Sequence, residues 1–311
     1  MVEAVALAKV GTPTGATVLS FAVATNRERF CVVNVPRPRS GAAVRPTAVA
    51  GTFYPADADE LAAMVGELFS GDALPAETWP AVMVPHAGLK YSGRIAADTL
   101  RRVTVPSSVV VIGPKHTPHG VEWAVAPNET WSLPDGKMSA DPALAKELSE
   151  SIDGLELDAA AHEQEHAIEV ELPLIANLNP VAKVTGITIG AATCEQCVEF
   201  GRQLAEVLRD QRERTLLVIS SDMNHFAADT VNRRLDTMAM EALETLDPQQ
   251  AFDTISENQI SMCGLRPAVI VLETLRCWGM LDRCERVSYA TTADVTGNPS
   301  RVVGYAGMLF G

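Results

Sequence analysis

Short apolar runs that stop at a polar loop, each followed by a stretch with helical spacing, set the pattern of this chain. Ala81 to Val84 stops at Pro85-His86-Ala87-Gly88, Ser107 to Ile112 stops at Gly113-Pro114-Lys115-His116, and Thr215 to Ser220 stops at Ser221-Asp222-Met223-Asn224-His225. Such nearly continuous apolar runs read as strands buried on both faces. Glu122 to Ala126, Ala182 to Gly190, Val287 to Thr291 and Arg301 to Leu309 read as further strands.

Helical spacing fills the gaps. Asp59 to Phe69 carries Leu61, Met64, Val65, Leu68 and Phe69 on one face. Ile95 to Val103 is helical, and Asp141-Pro142 opens a helix through Leu148 with proline in its first turn. Glu163 to Leu178 reads as one helix that Pro173 bends or ends. Cys194 to Arg209, Val231 to Leu246, Pro248 to Ser256 and Gly264 to Cys277 follow. Trp131 to Met138 carries turn chemistry at Pro134-Asp135-Gly136. Strands alternating with helices predict an α/β fold, a three-layer sandwich with a largely parallel central sheet.

Residues 1–45 break the pattern. Thr17 to Thr25 and Phe30 to Val35 are β-rich runs around a polar centre, for which a β-hairpin is the simplest reading. Pro36 to Gly41 reads as a linker. The expected organisation is an N-terminal arm over 1–45 and a single domain over 46–311.

Composition narrows the function. The chain has 311 residues, 47% of them hydrophobic, which suffices for a large core. A net charge of −14 disfavours a nucleic-acid partner. No apolar window is long enough to span a membrane. Glu3 lies early, and no basic segment precedes an apolar run as in a secretory leader. A cytoplasmic protein is expected, with its six cysteines reduced. Cys194-x-x-Cys197 stands alone, whereas structural zinc wants four ligands, so the pair reads as two helix residues.

All six histidines lie between residues 86 and 225, and His86, His116 and His225 each follow a predicted strand. Sites in open α/β sheets form at the carboxyl ends of strands, so the three point to one shared site. Two neutral imidazoles would give two corners of an iron, copper or zinc site. Glu165, Asp222 and Cys263 are the candidates for a third. Cys263 precedes an apolar helix with Pro267 in its first turn, where a thiol is easier to ionise. Asp222 shares a loop with His225 and would fix its tautomer, making His225 a general base.

His162-Glu163-Gln164-Glu165-His166 matches H-E-x-x-H, which on an unbroken helix makes a zinc peptidase with Glu163 as base. The doubly wound surroundings are not a protease context, and Glu165 and His166 could instead face the cleft. Tyr91 and Lys115 are placed to contact an anionic or phenolic substrate; His119 reads as a loop residue.

The segments AGTFYP, VPHAGLKYSG, GPKHTPHG, EHAIEVELPLI, SSDMNH, MCG and VVGYAG occur in this order between Arg45 and Gly311. In this the chain resembles the Memo-like family, whose prokaryotic relatives are protein B of the AmmeMemoRadiSam system. The resemblance implies a fold like that of class III extradiol dioxygenases, which hold non-haem Fe(II) on two histidines and a glutamate and use a further histidine as acid/base. Carried over by motif, His86 and His116 would be the histidine ligands, Cys263 would stand in for the glutamate, and Asp222 and His225 would form the acid/base pair. The family's EHSIE reads EHAIE here, and Leu265-Arg266-Pro267-Ala268 follows the cysteine-glycine. A thiolate alters metal preference and redox potential. The resemblance thus implies a metal site, Fe(II) first, with Cu or Zn as alternatives. On it would sit either a redox enzyme of unknown substrate, acting on a small molecule or peptide, or a non-catalytic module that binds a peptide or anionic ligand in the same cleft.

Overall fold

The computed structural model describes residues 43–71 and 75–311, and before them two short strands, Val10–Gly11 and Thr17–Val18, paired antiparallel. The chain divides into two units, Met1–Arg39 and Ser40–Gly311. Apart from Thr17–Val18, the expected hairpin and the linker at 36–41 lie outside the described residues.

In the second unit, twelve strands form one sheet among the described residues. At its centre Ala81–Val84, Thr215–Ser220, Ser108–Pro114 and Lys183–Ile189 run parallel in that spatial order. Side chains alternate across a strand, and here both sets are buried. Ala81, Met83, Val110, Ile112, Leu217 and Ile219 face one core, which holds residues of the helices Pro142–Ser151, Cys194–Val207, Pro248–Glu257 and Leu265–Trp278. Val82, Val84, Val109, Val111, Leu216 and Val218 face the other, with Ala58–Leu68, Leu89–Leu100 and Leu172–Leu178. The result is the three-layer sandwich that the alternating pattern predicts. Each of these valine, leucine, isoleucine and methionine side chains, fully buried, contributes roughly 1.5–3 kcal/mol.

Local signals set the helix starts. The Asp57 carboxylate accepts from Asp59 N and Glu60 N at 3.0 Å each, and Asp141 accepts from Leu144 N at 3.1 Å, with Pro142 behind it. Thr193 and Gln196 make a reciprocal capping box on the helix that carries Cys194 and Cys197. Both thiols are buried in the core, so the lone C-x-x-C is indeed two helix residues. No helix among the described residues is long and apolar enough to cross a membrane.

Three segments differ from the expectation. The turn read at Pro134-Asp135-Gly136 is present, but strands not expected, Thr130–Leu133 and Gly136–Ser139, flank it as a hairpin, and Val44–Arg45 pairs parallel to it at the sheet edge. The helix expected from Ile95 starts at Leu89, whose N–H bonds Phe53 O at 2.8 Å. Gly88 presses on the same residue: a Cβ there would stand 3.3 Å from Phe53 O. The helix expected over 163–178 is broken into Ala159–Glu163, a 3-10 turn at Glu169–Glu171, and Leu172–Leu178. Between them, the carbonyls of His162 and Glu165 accept from Arg45, and the Glu165 carboxylate accepts from His166 N and Ala167 N. Side-chain bonds to nearby backbone take the place of helical ones.

The chain closes on Val302–Phe310, which pairs antiparallel with Ala81–Val84, Cys284–Thr291 and His225–Ala227. A register shift interrupts the last pairing, and exposed Phe226 within it has φ +65°.

Candidate metal centre

The loops after three parallel strands meet at one end of the sheet. Val84 leads to His86, Pro114 to His116 and Ser220 to Asp222. The loop after helix Ala159–Glu163 adds Glu165 and His166, and the start of helix Leu265–Trp278 adds Cys263. His86, His116 and His166 each offer a ring nitrogen within 4.8 Å of the others. The His116 and His166 rings are stacked at 4.4 Å, and His86 stands edge-on to both.

Hydrogen bonds assign the protons. Ser220 Oγ lies 2.5 Å from Ala167 O, and a carbonyl only accepts, so the hydroxyl proton points there. Ser220 Oγ must then accept from His86 Nδ1 at 2.8 Å, which leaves the His86 Nε2 lone pair facing the cluster. On His116, Nδ1 lies 2.8 Å from Glu165 Oε1. Burial raises the Glu165 pKa, but the His116 side chain and the N–H groups of Ala167 and His116 outweigh it and hold the carboxyl at about 2. An ionised carboxylate accepts only, so His116 Nδ1 carries the proton and Nε2 is free. His166 Nδ1 lies 3.3 Å from the same oxygen. One buried carboxylate thus steadies two of the three histidines, the usual outer partner of a metal-binding imidazole.

Burial, reinforced by the neighbouring imidazoles, pushes His86 well below the ordinary histidine range; burial and His116 push His166 down to about 4. Both rings are neutral at pH 7, as metal ligation requires. Cys263 Sγ lies 3.3 Å from His86 Nε2 and accepts from Asp222 N at 3.2 Å. Burial, then the charge of Asp222, pushes this thiol up. That reverses the easier ionisation expected from its place before a helix. In the chain alone, then, the Cys263 proton points at a free imidazole nitrogen. Three imidazoles with a thiol against one of them form a donor set that fits a transition metal.

Asp222 does not reach the His225 ring. Its Oδ1 accepts from the backbone N–H groups of His86 and Ala87, clamping the first histidine's loop. Burial raises its pKa to about 7 against those two donors. His225 Nδ1 instead lies 2.9 Å from Ser261 O, so it donates there and Nε2 is free. Lys115 Nζ donates to Thr117 O at 2.6 Å, tying down its own loop. Tyr91 sits half-buried in the first turn of Leu89–Leu100, with Lys90 Nζ 5.8 Å from its ring centroid. His119 is an exposed loop residue.

The H-E-x-x-H match is not a zinc-peptidase site. Its helix ends at Glu163, between the two histidines. His162 is buried away from the cluster, its Nε2 bonded to Ala124 O and its ring edge-on to Trp131, and Glu163 is exposed. Two supports went unnoticed in the sequence. Ser220 is a polar residue closing an apolar strand, which is a visible signal. Arg45 is not: it reaches from the sheet edge to Glu169 and to the carbonyls of His162 and Glu165.

Comparison with known proteins agrees with this geometry. Residues 45–309 match the family model described as Memo-like protein. A MEMO1 family protein of Aquifex aeolicus is 35% identical over 268 residues, covering 86% of this chain and 99% of the relative. Those of Ignicoccus hospitalis and Archaeoglobus fulgidus are each 33% identical, covering 86% of this chain and 98% and 99% of theirs. In fold, the chain is similar to the crystal structure of an uncharacterised protein from Escherichia coli K12. That match has a TM-score of 0.51 at 17% identity and covers 74% of this chain and 99% of that one. By sequence, this chain belongs to the Memo-like family.

Proposed function

We propose that this end of the sheet holds a metal ion, Fe(II) or Cu with Zn as the alternative, and with iron or copper serves a non-haem oxidoreductase acting on a small molecule. The carrying observation is the convergence of His86, His116 and His166 within 4.8 Å, with the His86 and His116 protons fixed on the far side of each ring. His86 Nε2, His116 Nε2 and Cys263 Sγ are the proposed ligands, with His166 beside them. The ion would supply Lewis acidity and, as iron or copper, a one-electron couple. Glu165 and Ser220 orient the two imidazoles, and Asp222 fixes the loop of the first. His225 is proposed as the proton acceptor: its ring is partly exposed, Nε2 is unprotonated, and burial lowers its pKa. Tyr91 and Lys115 are proposed to flank an anionic or phenolic substrate.

Metal content and affinity decide the matter. Wild type should take up Fe(II) or Cu in a one-to-one ratio. His86→Ala and Cys263→Ser should each weaken uptake at least tenfold with the melting transition of the metal-free chain preserved. Unchanged affinity in His86→Ala would reject the centre; unchanged affinity in Cys263→Ser alone would give its corner to His166. Oxygen uptake against a panel of catechols, lost in His225→Gln with metal retained, would tie the centre to turnover.

A further inference from the structure

A chain of buried polar side chains runs from helix Asp229–Glu244 to His225. Asp236 and Asn232 are fully buried and Asn224 nearly so. Asp236 Oδ1 accepts from Asn224 N at 2.7 Å, and Oδ2 accepts from Asn232 Nδ2 at 2.8 Å and Tyr289 OH at 2.6 Å. Asn232 Oδ1 accepts from Asn224 Nδ2 at 2.8 Å. Asn224 Oδ1 accepts from both Ser261 N and Ser261 Oγ at 3.0 Å. Ser261 then receives His225 twice, Oγ from His225 N at 2.8 Å and the carbonyl from Nδ1 at 2.9 Å.

The direction of this chain is dictated at both ends. A carboxylate only accepts, and the backbone N–H of Ser261 only donates. Between them the two amides have one orientation that leaves no buried donor facing another donor. We propose that Asp236, acting through Asn232 and Asn224, is a positioning residue for His225: it fixes the amide orientations that seat Ser261, so that the Ser261 carbonyl, an acceptor in any case, stays where it holds His225 with its proton on Nδ1 and leaves Nε2 unbonded. Ser261 lies two residues before Cys263, so the same chain anchors the loop that delivers the thiol. The chemical use of the open Nε2 rests on the metal-centre reading above; the chain of hydrogen bonds does not.

Asp236→Asn tests it with almost no change in volume. An amide nitrogen facing Asn232 forces Asn232 to turn, which forces Asn224 to turn, which sets an NH₂ group against the fixed Ser261 N–H. An amide nitrogen facing the other way meets the fixed Asn224 N–H. Either way a link is lost, and a buried donor without a partner is costly.

The readout is the tautomer of His225 in the metal-free full chain, from ring-nitrogen NMR shifts above the imidazole pKa, with the signal assigned by its absence in His225→Gln. Metal affinity does not enter, so failure of the metal centre and failure of this proposal are told apart. Wild type should show Nδ1–H. Asp236→Asn should lose that signal in favour of Nε2–H, the form free histidine prefers. Tyr289→Phe, which removes a donor from the same oxygen but lies outside the chain, should leave it unchanged. Should Asp236→Asn not fold, Asn232→Ala, which cuts the middle link, is read by the same criterion. A wild-type His225 in the Nε2–H form overturns the proposal. So does a folded Asp236→Asn with the wild-type signal, or a Tyr289→Phe that shifts it equally.

Discussion

At the scale of single residues, one proton lies where a metal ion would go. His86 donates through Nδ1 to Ser220, so Nε2 can only accept, and the group facing it at 3.3 Å is the Cys263 thiol. An ion bound by both atoms must displace that proton. Calorimetric titration of Zn(II) or Fe(II), repeated in buffers of different ionisation heats, should therefore show release of about one proton near pH 7. In Cys263→Ser the release should vanish; a wild type that releases none would remove Cys263 from the ligand set. The residue types of this site were legible in the sequence, while their pairings were not. A place before a helix favours a thiolate by about 0.3–1 kcal/mol, and burial beside Asp222 outweighs that in the chain alone. Asp222 and His225 are neighbours in sequence, yet one bonds the His86 loop and the other Ser261, because their partners arrive from distant strands and helices.

At the scale of elements, the segment 159–178 is the instructive case. Its spacing reads as one helix, and with it comes the H-E-x-x-H match. What breaks the helix is Arg45, more than a hundred residues earlier, together with the self-capping carboxylate of Glu165. No local propensity records either. The break sends His166 to the cluster and buries His162 as a neutral ring, its pKa pushed down to about 4 by burial. The Ala124 carbonyl it bonds raises that value again. So do the carboxylates of Glu165 and Asp158, while the Arg45 cation lowers it. Below the ordinary histidine pKa of about 6.5 the unfolded chain takes a proton on His162 that the folded chain refuses. The unfolded state then binds more protons, so stability rises with pH across this window and falls as pH drops from about 6.5 to about 4. The loss attributable to this ring is about 3 kcal/mol. His162→Gln keeps a donor for Ala124 and cannot titrate. Urea unfolding midpoints of the metal-free proteins should thus fall less steeply with acid in the variant; parallel pH curves would refute the assignment.

For the whole molecule, the four parallel strands and their two helical layers followed from apolar runs alternating with helical spacing. The order of strands did not, because pairing between distant segments leaves no periodic trace in either. The short edge strand at Val44–Arg45 was missed for a further reason: two residues carry no pattern. That edge matters energetically. Arg45 forms a buried ion pair with Glu169, whose carboxylate also accepts from Ala48 N, Val49 N and Tyr54 OH. Removing one partner of a buried pair costs about 3–5 kcal/mol. A chain begun at Thr47 should therefore be less stable than one begun at Ser40 by about that amount in urea; equal midpoints would show that Glu169 manages without Arg45. The other margin of the sheet carries a different consequence. Val302–Phe310 pairs directly with Ala81–Val84, and Gly304 exchanges backbone bonds with Met223 and Asn224 beside the histidines. During synthesis, every proposed ligand and His225 emerge before Val302–Phe310. For the proposed centre, ordered uptake of an ion would therefore come only after Val302–Phe310 is in place.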